Sequence, residues 1–159
     1  MLSVPHILDR VIFLKQGSLF SGMRSGDLRA LAAVAEELEF EAGQWVVREN
    51  ELGDSLYLIR EGRMVVTKAV GGEGEIILST LSGGDCFGDM SIFDADVRSA
   101  SVKADGRSRL LRIGRDDMMD VLGEHPGIGI ELIRIFVKRL RRANDKIEQL
   151  SSVGAGEDR

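Results

Sequence analysis

The chain has 159 residues, of which 43% are hydrophobic and 30% are charged, and its formal net charge is -5. This length suits one domain with its own core, and this composition excludes a disordered chain. The negative net charge argues against binding to nucleic acid or to an anionic membrane through an overall positive field.

The opening part of the chain, residues 1–37, is predicted to be helical. Its first apolar run is interrupted by Asp9, Arg10 and Lys15, which excludes a membrane span and a signal peptide there. A second helix is predicted from Ser25, a residue suited to the N-cap position, because apolar residues then recur at helical spacing.

The middle of the chain, residues 38–114, is predicted to consist of short strands separated by turns that contain glycine. The Gly-Gly-Glu-Gly run at residues 71–74 is typical of a hairpin turn. Many short strands spaced about 8–12 residues apart predict an antiparallel jelly-roll barrel. The strands are predicted at residues 44–48, 55–60, 64–68, 75–81, 99–103 and 109–113.

The last part of the chain, residues 115–150, is predicted to return to helix. A short helix covers residues 115–122, and a longer one begins at Pro126, which favours a first helical turn, and ends near Leu150. Residues 151–159 contain two serines and two glycines and are predicted to be a flexible tail. The predicted fold class is α+β, mainly β: an antiparallel jelly-roll barrel with N-terminal helices and a long C-terminal helix.

Candidate chemistry is concentrated in residues 84–102. Gly88 follows an apolar strand, at a point where unpaired N–H groups of a turn bind anions and glycine admits close approach. Arg98, predicted to open a strand, and Ser99 add donors that suit a phosphate. Asp89 disfavours a phosphate but accepts hydrogen bonds from a sugar hydroxyl. Together they indicate a sugar-phosphate ligand, although each residue alone is more often part of an ordinary turn or a solvated charge.

Several motifs resemble those of the cyclic nucleotide-binding domain family, which includes the bacterial catabolite regulators, the regulatory subunits of protein kinase A and the cyclic-nucleotide-gated channels. The family's phosphate-binding cassette has Phe-Gly-Glu, an apolar run, and then Arg-Ala/Ser/Thr-Ala-Thr/Ser-Val. The corresponding cassette here, residues 87–102, begins Phe87-Gly88-Asp89-Met90 and ends Arg98-Ser99-Ala100-Ser101-Val102. Segments similar to the family's entry helix, Gly-Asp hairpin and Leu-x-x-Gly-Asp motif follow the family's order at residues 19–23, 53–62 and 81–85.

The resemblance covers roughly residues 13–150 and implies a role for each residue of the cassette. Gly88 and Ser99 would contact the cyclic phosphate, and Arg98 would neutralise it. Asp89 would hold the ribose 2′-hydroxyl, but it replaces the family's glutamate, which predicts a weaker ribose contact. Val97 replaces a proline, which predicts a looser loop. The other residues expected to bind ligand are Phe87, Met90, Ser91 and Ala100.

The predicted C-terminal helix carries apolar residues at alternating spacings of three and four, the heptad pattern of a coiled coil. A polar residue in such a row fixes the register of a parallel pair. The pattern predicts a homodimer through this helix; the alternative is that the stripe packs on the chain's own barrel. One row contains Ile130, Val137 and Asn144, and the other contains Ile133, Leu140 and Ile147.

The same helix also bears on ligand choice and on nucleic-acid binding. In relatives with the catabolite-regulator layout it closes over the ligand, and the match puts Asn144 where it could contact an adenine amino edge. This favours cAMP over cGMP. The basic cluster at residues 138–142 is interpreted as a solvated helix face rather than a binding site for nucleic acid or an acidic partner, because the chain is acidic.

Some kinds of site are not expected. The chain has two histidines, and neither has a second one at metal-ligand spacing, which argues against a jelly-roll metalloenzyme. Cys86, the only cysteine, is interpreted as a packing residue and is compatible with a cytoplasmic location. The chain ends nine residues after Leu150, which leaves no room for the recognition helix of a helix-turn-helix.

The predicted function is a regulatory module, not an enzyme, that binds a cyclic mononucleotide and signals its occupancy through the C-terminal helix. The predicted ligand is cAMP rather than cGMP, and the effector protein is unknown. No metal, nucleic acid or membrane is expected to take part. The alternative, motivated by Asp89, is a family member that has lost its ligand and serves only as a dimerising scaffold.

Overall fold

The structure of the protein, a computed structural model, describes residues 4–154. Its helices are α1 (Val4–Gln16), α2 (Ser25–Val34), α3 (Ser91–Asp94), α4 (Arg115–Glu124) and α5 (Pro126–Gly154). Its strands are β1 (Glu36–Phe40), β2 (Trp45–Val47), β3 (Ser55–Glu61), β4 (Arg63–Val70), β5 (Gly74–Ser82), β6 (Cys86–Phe87), β7 (Ser101–Ala104) and β8 (Ser108–Gly114).

The strands form two four-stranded antiparallel sheets. Sheet A has the order β1-β8-β3-β6, and sheet B has the order β2-β7-β4-β5. The longer helices pack against sheet A and bury their apolar sides there. The predicted fold class, a mainly β jelly roll with N-terminal helices and a long C-terminal helix, is confirmed.

Strand β3 is the centre of the packing because it is buried on both faces. Alternate side chains of a strand point to opposite faces of its sheet. Leu56 and Leu58 therefore join the helices in one apolar core. Tyr57 and Ile59 point the other way and form a second core with side chains of sheet B such as Met64. This strand holds the end of β6, and hence the start of the cassette, at a fixed position.

Most predicted strands are present with ends that differ by one or two residues. The glycine-rich run does form the turn between β4 and β5, which pair from Arg63–Ser82 to Val70–Gly74. The last strand before the helices, β8, pairs with both β1 and β3 in sheet A. The helix predicted from Pro126 begins at that residue.

Four predictions about element ends are wrong. The helix predicted from Ser25 does begin there, but its N-cap is Arg24 rather than Ser25, and no side chain makes a capping hydrogen bond. Residues 36–37, predicted to be helical, belong to β1, because the glutamates of this strand pair with arginines of β8. The strand predicted from Ser99 begins at Ser101, so Arg98 lies in a loop rather than at a strand start.

Helix α5 is the fourth case, since it continues to Gly154 instead of ending near Leu150. The first four residues of the predicted tail are therefore helical, and residues 155–159 lie outside the described residues. Of the helices within residues 4–154, α5 included, none is long and apolar enough to span a membrane. The heptad stripe of α5 is exposed along its length, at Ile130, Ile133, Val137, Leu140 and Ile147.

Candidate functional site

A cavity opens between sheet B, the end of β6 and the cassette. Three valines, Val47, Val66 and Val102, form its apolar wall. Its polar wall comes from the cassette, which supplies eight of the nine residues predicted to bind ligand. These are Phe87, Gly88, Asp89, Met90, Ser91, Arg98, Ser99 and Ala100. Their contact with a ligand stays a prediction, but the fold brings them to one surface.

Gly88 stands at the point where the chain leaves β6. Its φ angle is +81°, a left-handed conformation that glycine adopts without strain. A Cβ atom at this position would lie 2.4 Å from Nη1 of Arg98 and 2.5 Å from the carbonyl oxygen of Ser55. The position therefore requires glycine both for its backbone angle and for the close approach of Arg98.

We predict that Gly88→Ala weakens cyclic nucleotide binding by tenfold or more and costs on the order of 1–3 kcal/mol of stability, because strain is added to a collision with Arg98. Thermal unfolding and calorimetric titration measure the two effects. Gly43→Ala is the matched control: Gly43 also has a positive φ, +84°, but its Cβ would meet nothing within 4 Å. That control should lose stability and keep its affinity; equal loss of affinity in both variants would contradict the prediction.

The chain after Gly88 forms a single helical turn, α3. The amides of Ile92, Phe93 and Asp94 donate back to Gly88 and Met90. The N–H groups at the beginning of the turn, on Asp89 and Met90, therefore have no acceptor within the turn itself. Such amides can donate to an anion in the adjoining cavity.

Arg98 is a buried cation, with 6% of its surface exposed. Its Nη2 donates to the carbonyl oxygen of Ser55 at 2.9 Å, and its guanidinium lies 5.8 Å from the centre of the Tyr57 ring. Its own N–H and C=O are bonded to Glu51 and Asn50, which fixes the main chain on both sides.

No carboxylate within residues 4–154 forms a salt bridge with Arg98. Burial lowers the pKa of its guanidinium, and the neighbouring Tyr57 and Asp54 offset part of that effect. Arginine nevertheless keeps its proton in proteins. A buried charge is costly unless it is paired, so this arrangement favours the entry of an anion beside Arg98.

Asp89 pairs with α5 rather than standing free. Its Oδ2 accepts a hydrogen bond from Nη1 of Arg139, and the aspartate side chain is more buried than the arginine. Burial alone would lower the pKa of the Arg139 guanidinium, but Asp89 and Cys86 together raise it above its ordinary value. The contact joins Asp89, the residue of the cassette that is predicted to bind the ribose, to the C-terminal helix α5.

Residues 138–142 are exposed, as the interpretation of a solvated face requires, but Arg139 also has a partner within the domain, Asp89. The sequence did contain a signal for it. Arg139 follows Ile128, Leu132 and Ile135 at helical spacing, and these side chains pack against the domain. An arginine on the inward side of a helix indicates a partner there. The aromatic contact between Phe93 of α3 and Phe136 of α5, with ring centroids 6.1 Å apart, lies in the same region.

Asn144 is not brought to the cavity. It is exposed on α5, on the same stripe as Ile130 and Val137, and it does not line the cavity. Its contact with an adenine therefore stays a prediction.

Cys86 is largely buried beside Asp89. Burial is the main cause, and the carboxylate of Asp89 the second, that raises the pKa of its thiol to about 11. The thiol is thus protonated at neutral pH, as expected of a packing residue.

The part of the chain that the structure describes contains no group of three or more histidine, cysteine, aspartate or glutamate side chains that could hold a metal ion. His125, one of the two histidines, occupies the C-cap position of α4 and lies 3.5 Å from Asp27 of α2. This contact joins two helices on the side of the domain formed by α2, α4 and α5.

Comparison with known proteins agrees with this geometry. The chain is 29% identical over 137 residues to the CRP-like cAMP-activated global transcriptional regulator of Mycobacterium tuberculosis. That match covers 86% of this chain and 61% of the regulator, so the chain spans less than two thirds of that relative's length.

Two solved structures share the fold. The N-terminal domain of a transcriptional regulator from Streptomyces coelicolor A3(2) superposes with a TM-score of 0.77 at 27% identity, over 85% of this chain and 94% of that one. The regulatory domain of Toxoplasma gondii PKA, crystallised with cAMP, gives 0.69 at 25% identity, over 76% of this chain and 46% of that one.

The family model named "Cyclic nucleotide-binding domain" matches residues 37–125, which is more than half of the chain. The match contains both sheets almost entirely, the whole cassette and α4. The chain therefore belongs to the cyclic nucleotide-binding domain family.

Proposed function

We propose that this chain is a regulatory module that binds a cyclic purine nucleotide, cAMP in preference to cGMP, and is not itself an enzyme. The observation that carries the proposal is Arg98, a buried arginine at the wall of a cavity with no carboxylate partner among the described residues. In this proposal Arg98, Gly88 and Ser99 hold the cyclic phosphate. The preference for cAMP is supported by the names of the relatives, the M. tuberculosis regulator among them.

The ribose is proposed to bind the carboxylate of Asp89. One of its oxygens accepts from Arg139, which leaves Oδ1 free to accept from a 2′-hydroxyl. In this arrangement Arg139 orients the carboxylate for the sugar. Ligand and helix then stabilise the same rotamer of Asp89, so binding of one favours docking of the other.

We predict that Asp89→Ala weakens cAMP binding by about tenfold or more, since one charge-assisted hydrogen bond contributes roughly 1.5–3 kcal/mol. The same variant should bind cAMP and 2′-deoxy-cAMP equally well, whereas wild type should prefer cAMP. The four Kd values, for wild type and Asp89→Ala with cAMP and 2′-deoxy-cAMP, form a double-mutant cycle that isolates the contact between Asp89 and the 2′-hydroxyl. A preference for cAMP that persists undiminished in Asp89→Ala would assign the 2′-hydroxyl to another residue.

Occupancy is proposed to reach an effector through α5, which also forms a homodimer through its exposed stripe. Two contacts couple this helix to the cassette: the ion pair of Asp89 with Arg139 and the ring contact of Phe93 with Phe136. The stripe contains five exposed aliphatic side chains at heptad spacing, a larger apolar surface than a solvated helix face normally presents. A soluble cytoplasmic protein is proposed.

A second candidate is a dimerising scaffold that has lost its ligand. It is favoured by Asp89, which is one methylene shorter than the family's glutamate and already has Arg139 as a partner. Calorimetric titration of the wild-type chain with cAMP, cGMP and linear 5′-AMP separates the two candidates. The sensor predicts one molecule of cAMP per chain, weaker cGMP and much weaker 5′-AMP; a dimer that binds none of the three would support the scaffold.

A further inference from the structure

Arg115, the first residue of α4, lies behind the cassette and has no part in the site described above. A positive charge at the start of a helix is unfavourable with respect to the helix dipole. Within residues 4–154 no carboxylate forms a salt bridge with its side chain. The partly buried guanidinium is instead directed at three main-chain carbonyl groups, which indicates that its role is to join segments of the backbone.

Two of these carbonyls belong to the turn of the cassette. Nη2 of Arg115 donates to the oxygen of Ser91 at 2.6 Å, and Nε donates to the oxygen of Ile92 at 3.0 Å. A helix of only four residues leaves most of its carbonyls without intrahelical partners. The guanidinium supplies a donor to the carbonyl of Ile92 and a second donor to that of Ser91, which also accepts from the amide of Ala95. It thereby joins the turn to the beginning of α4.

The third carbonyl belongs to Gly53, in the loop before β3. Nη2 of Arg115 donates to it at 2.5 Å, and the Arg115 amide donates to the next carbonyl, that of Asp54, at 2.7 Å. Gly53 is packed directly against the site: a Cβ there would lie 2.5 Å from Cβ of Ser91 and 2.9 Å from Nε of Arg98. The loop that contains Gly53 therefore packs against one side of the Arg98 side chain.

The two arginines also influence each other. Burial is the largest cause that lowers the pKa of the Arg98 guanidinium, and the charge of Arg115 lowers it further. The charges are therefore close enough to repel. Neither cation has a salt bridge with a carboxylate among residues 4–154, so both add to the positive potential where the anion is expected.

We infer that Arg115 is a positioning residue for the anion site: it clamps Gly53 to the turn at Ser91 and Ile92, so that Arg98 and the amides after Gly88 converge on one phosphate. The inference rests on the proposed function, since it names what pre-organises the proposed phosphate site. Arg115 does not touch the ligand. Its effect on affinity comes from the geometry of the cassette and from added positive charge.

Two substitutions separate the effect of the hydrogen bonds from the effect of the charge. Arg115→Met removes the hydrogen bonds and the charge, whereas Arg115→Lys keeps the charge but loses the planar fork that reaches three carbonyls. Each should raise the Kd for cAMP by about tenfold or more, because the carbonyls of Gly53 and Ile92 lose their side-chain donor and that of Ser91 keeps only the amide of Ala95. Arg107→Met is the control, since Arg107 is an exposed arginine that forms one ion pair, with Glu39 of β1, and does not line the cavity. Its Kd should stay within twofold of wild type.

Amide hydrogen exchange of the unliganded proteins supplies a readout that does not depend on binding. Residues 88–99 should exchange faster in Arg115→Lys than in wild type, while strands β4 and β5 exchange at unchanged rates. A folded Arg115→Lys variant with wild-type affinity, or with unchanged exchange over residues 88–99, would overturn the inference. Failure of wild type to bind any cyclic nucleotide would instead overturn the proposed function, and the exchange comparison would still test the clamp.

Discussion

Arg98→Ala should abolish most of the affinity for cAMP, raising the Kd by about 100-fold or more. Truncating one partner of a buried, hydrogen-bonded charge pair costs roughly 2–5 kcal/mol, and a tenfold change in Kd corresponds to about 1.4 kcal/mol. The effect should exceed that of any other single substitution in the cassette. Among the described residues that line the cavity, Arg98 is the only cation.

The unliganded protein should respond differently to this substitution. A buried cation without a carboxylate partner stabilises a fold poorly, so its removal should change the melting temperature little. The stabilisation of wild type by saturating cAMP should, however, disappear in the variant. Arg98→Lys keeps the charge but loses the bidentate fork. Its stabilisation by cAMP should therefore lie between those of wild type and of Arg98→Ala.

Arg63→Ala is the matched control for Arg98→Ala. Arg63 is an exposed arginine of β4 whose partner is Asp105 at 2.8 Å, away from the cavity. The control should retain wild-type affinity within about twofold, as expected of a surface ion pair. An Arg98→Ala variant that is folded and binds as well as this control would remove Arg98 from the phosphate site.

The second large effect is expected on assembly. Leu140→Glu should convert the proposed dimer to a monomer, raising its dissociation constant by about 100-fold or more. The substitution removes an aliphatic side chain of the exposed stripe and puts one carboxylate from each protomer into the interface. Sedimentation velocity over a series of concentrations measures the change.

Gln149→Glu adds the same negative charge to the same helix but outside the heptad stripe. This control should stay dimeric, and both variants should keep the circular dichroism spectrum of wild type. If Leu140→Glu sediments as a dimer, or if wild type is monomeric at high concentration, then the stripe does not form the interface. A dimer unaffected by Leu140→Glu would point to another surface of the domain.

The sequence predicts the fold well where local patterns decide it. The glycine run between β4 and β5, the alternation in β3 and the proline at the start of α5 each specify their element within a few residues. Strand β1 is not predicted because a segment rich in glutamate does not by itself indicate a strand. Its glutamates are stabilised there by ion pairs with Arg109 and Arg112 of β8. That pairing joins residues more than seventy positions apart.

The site shows the same division between local and distant information. Gly88, Asp89 and Arg98 are recognised by their spacing along the chain, and the fold gathers them at one cavity. Arg139 and Arg115 are not, because each acts through a contact made between elements far apart in sequence. The first reaches Asp89 across fifty positions, and the second reaches Gly53 across sixty-two. Periodicity could have suggested Arg139, but the three carbonyls of Arg115 have no sequence signature.

The most direct test of the central claim, that the cassette holds a cyclic phosphate on Arg98, is a crystal structure of the wild-type protein grown with cAMP. The expected result is a phosphate within hydrogen-bond distance of the Arg98 guanidinium and of amides in the turn after Gly88. Asp89 should then accept from the ribose while it still contacts Arg139. A nucleotide bound elsewhere, or an Arg98 that contacts only the carbonyl of Ser55 in a crystal with bound cAMP, would contradict it.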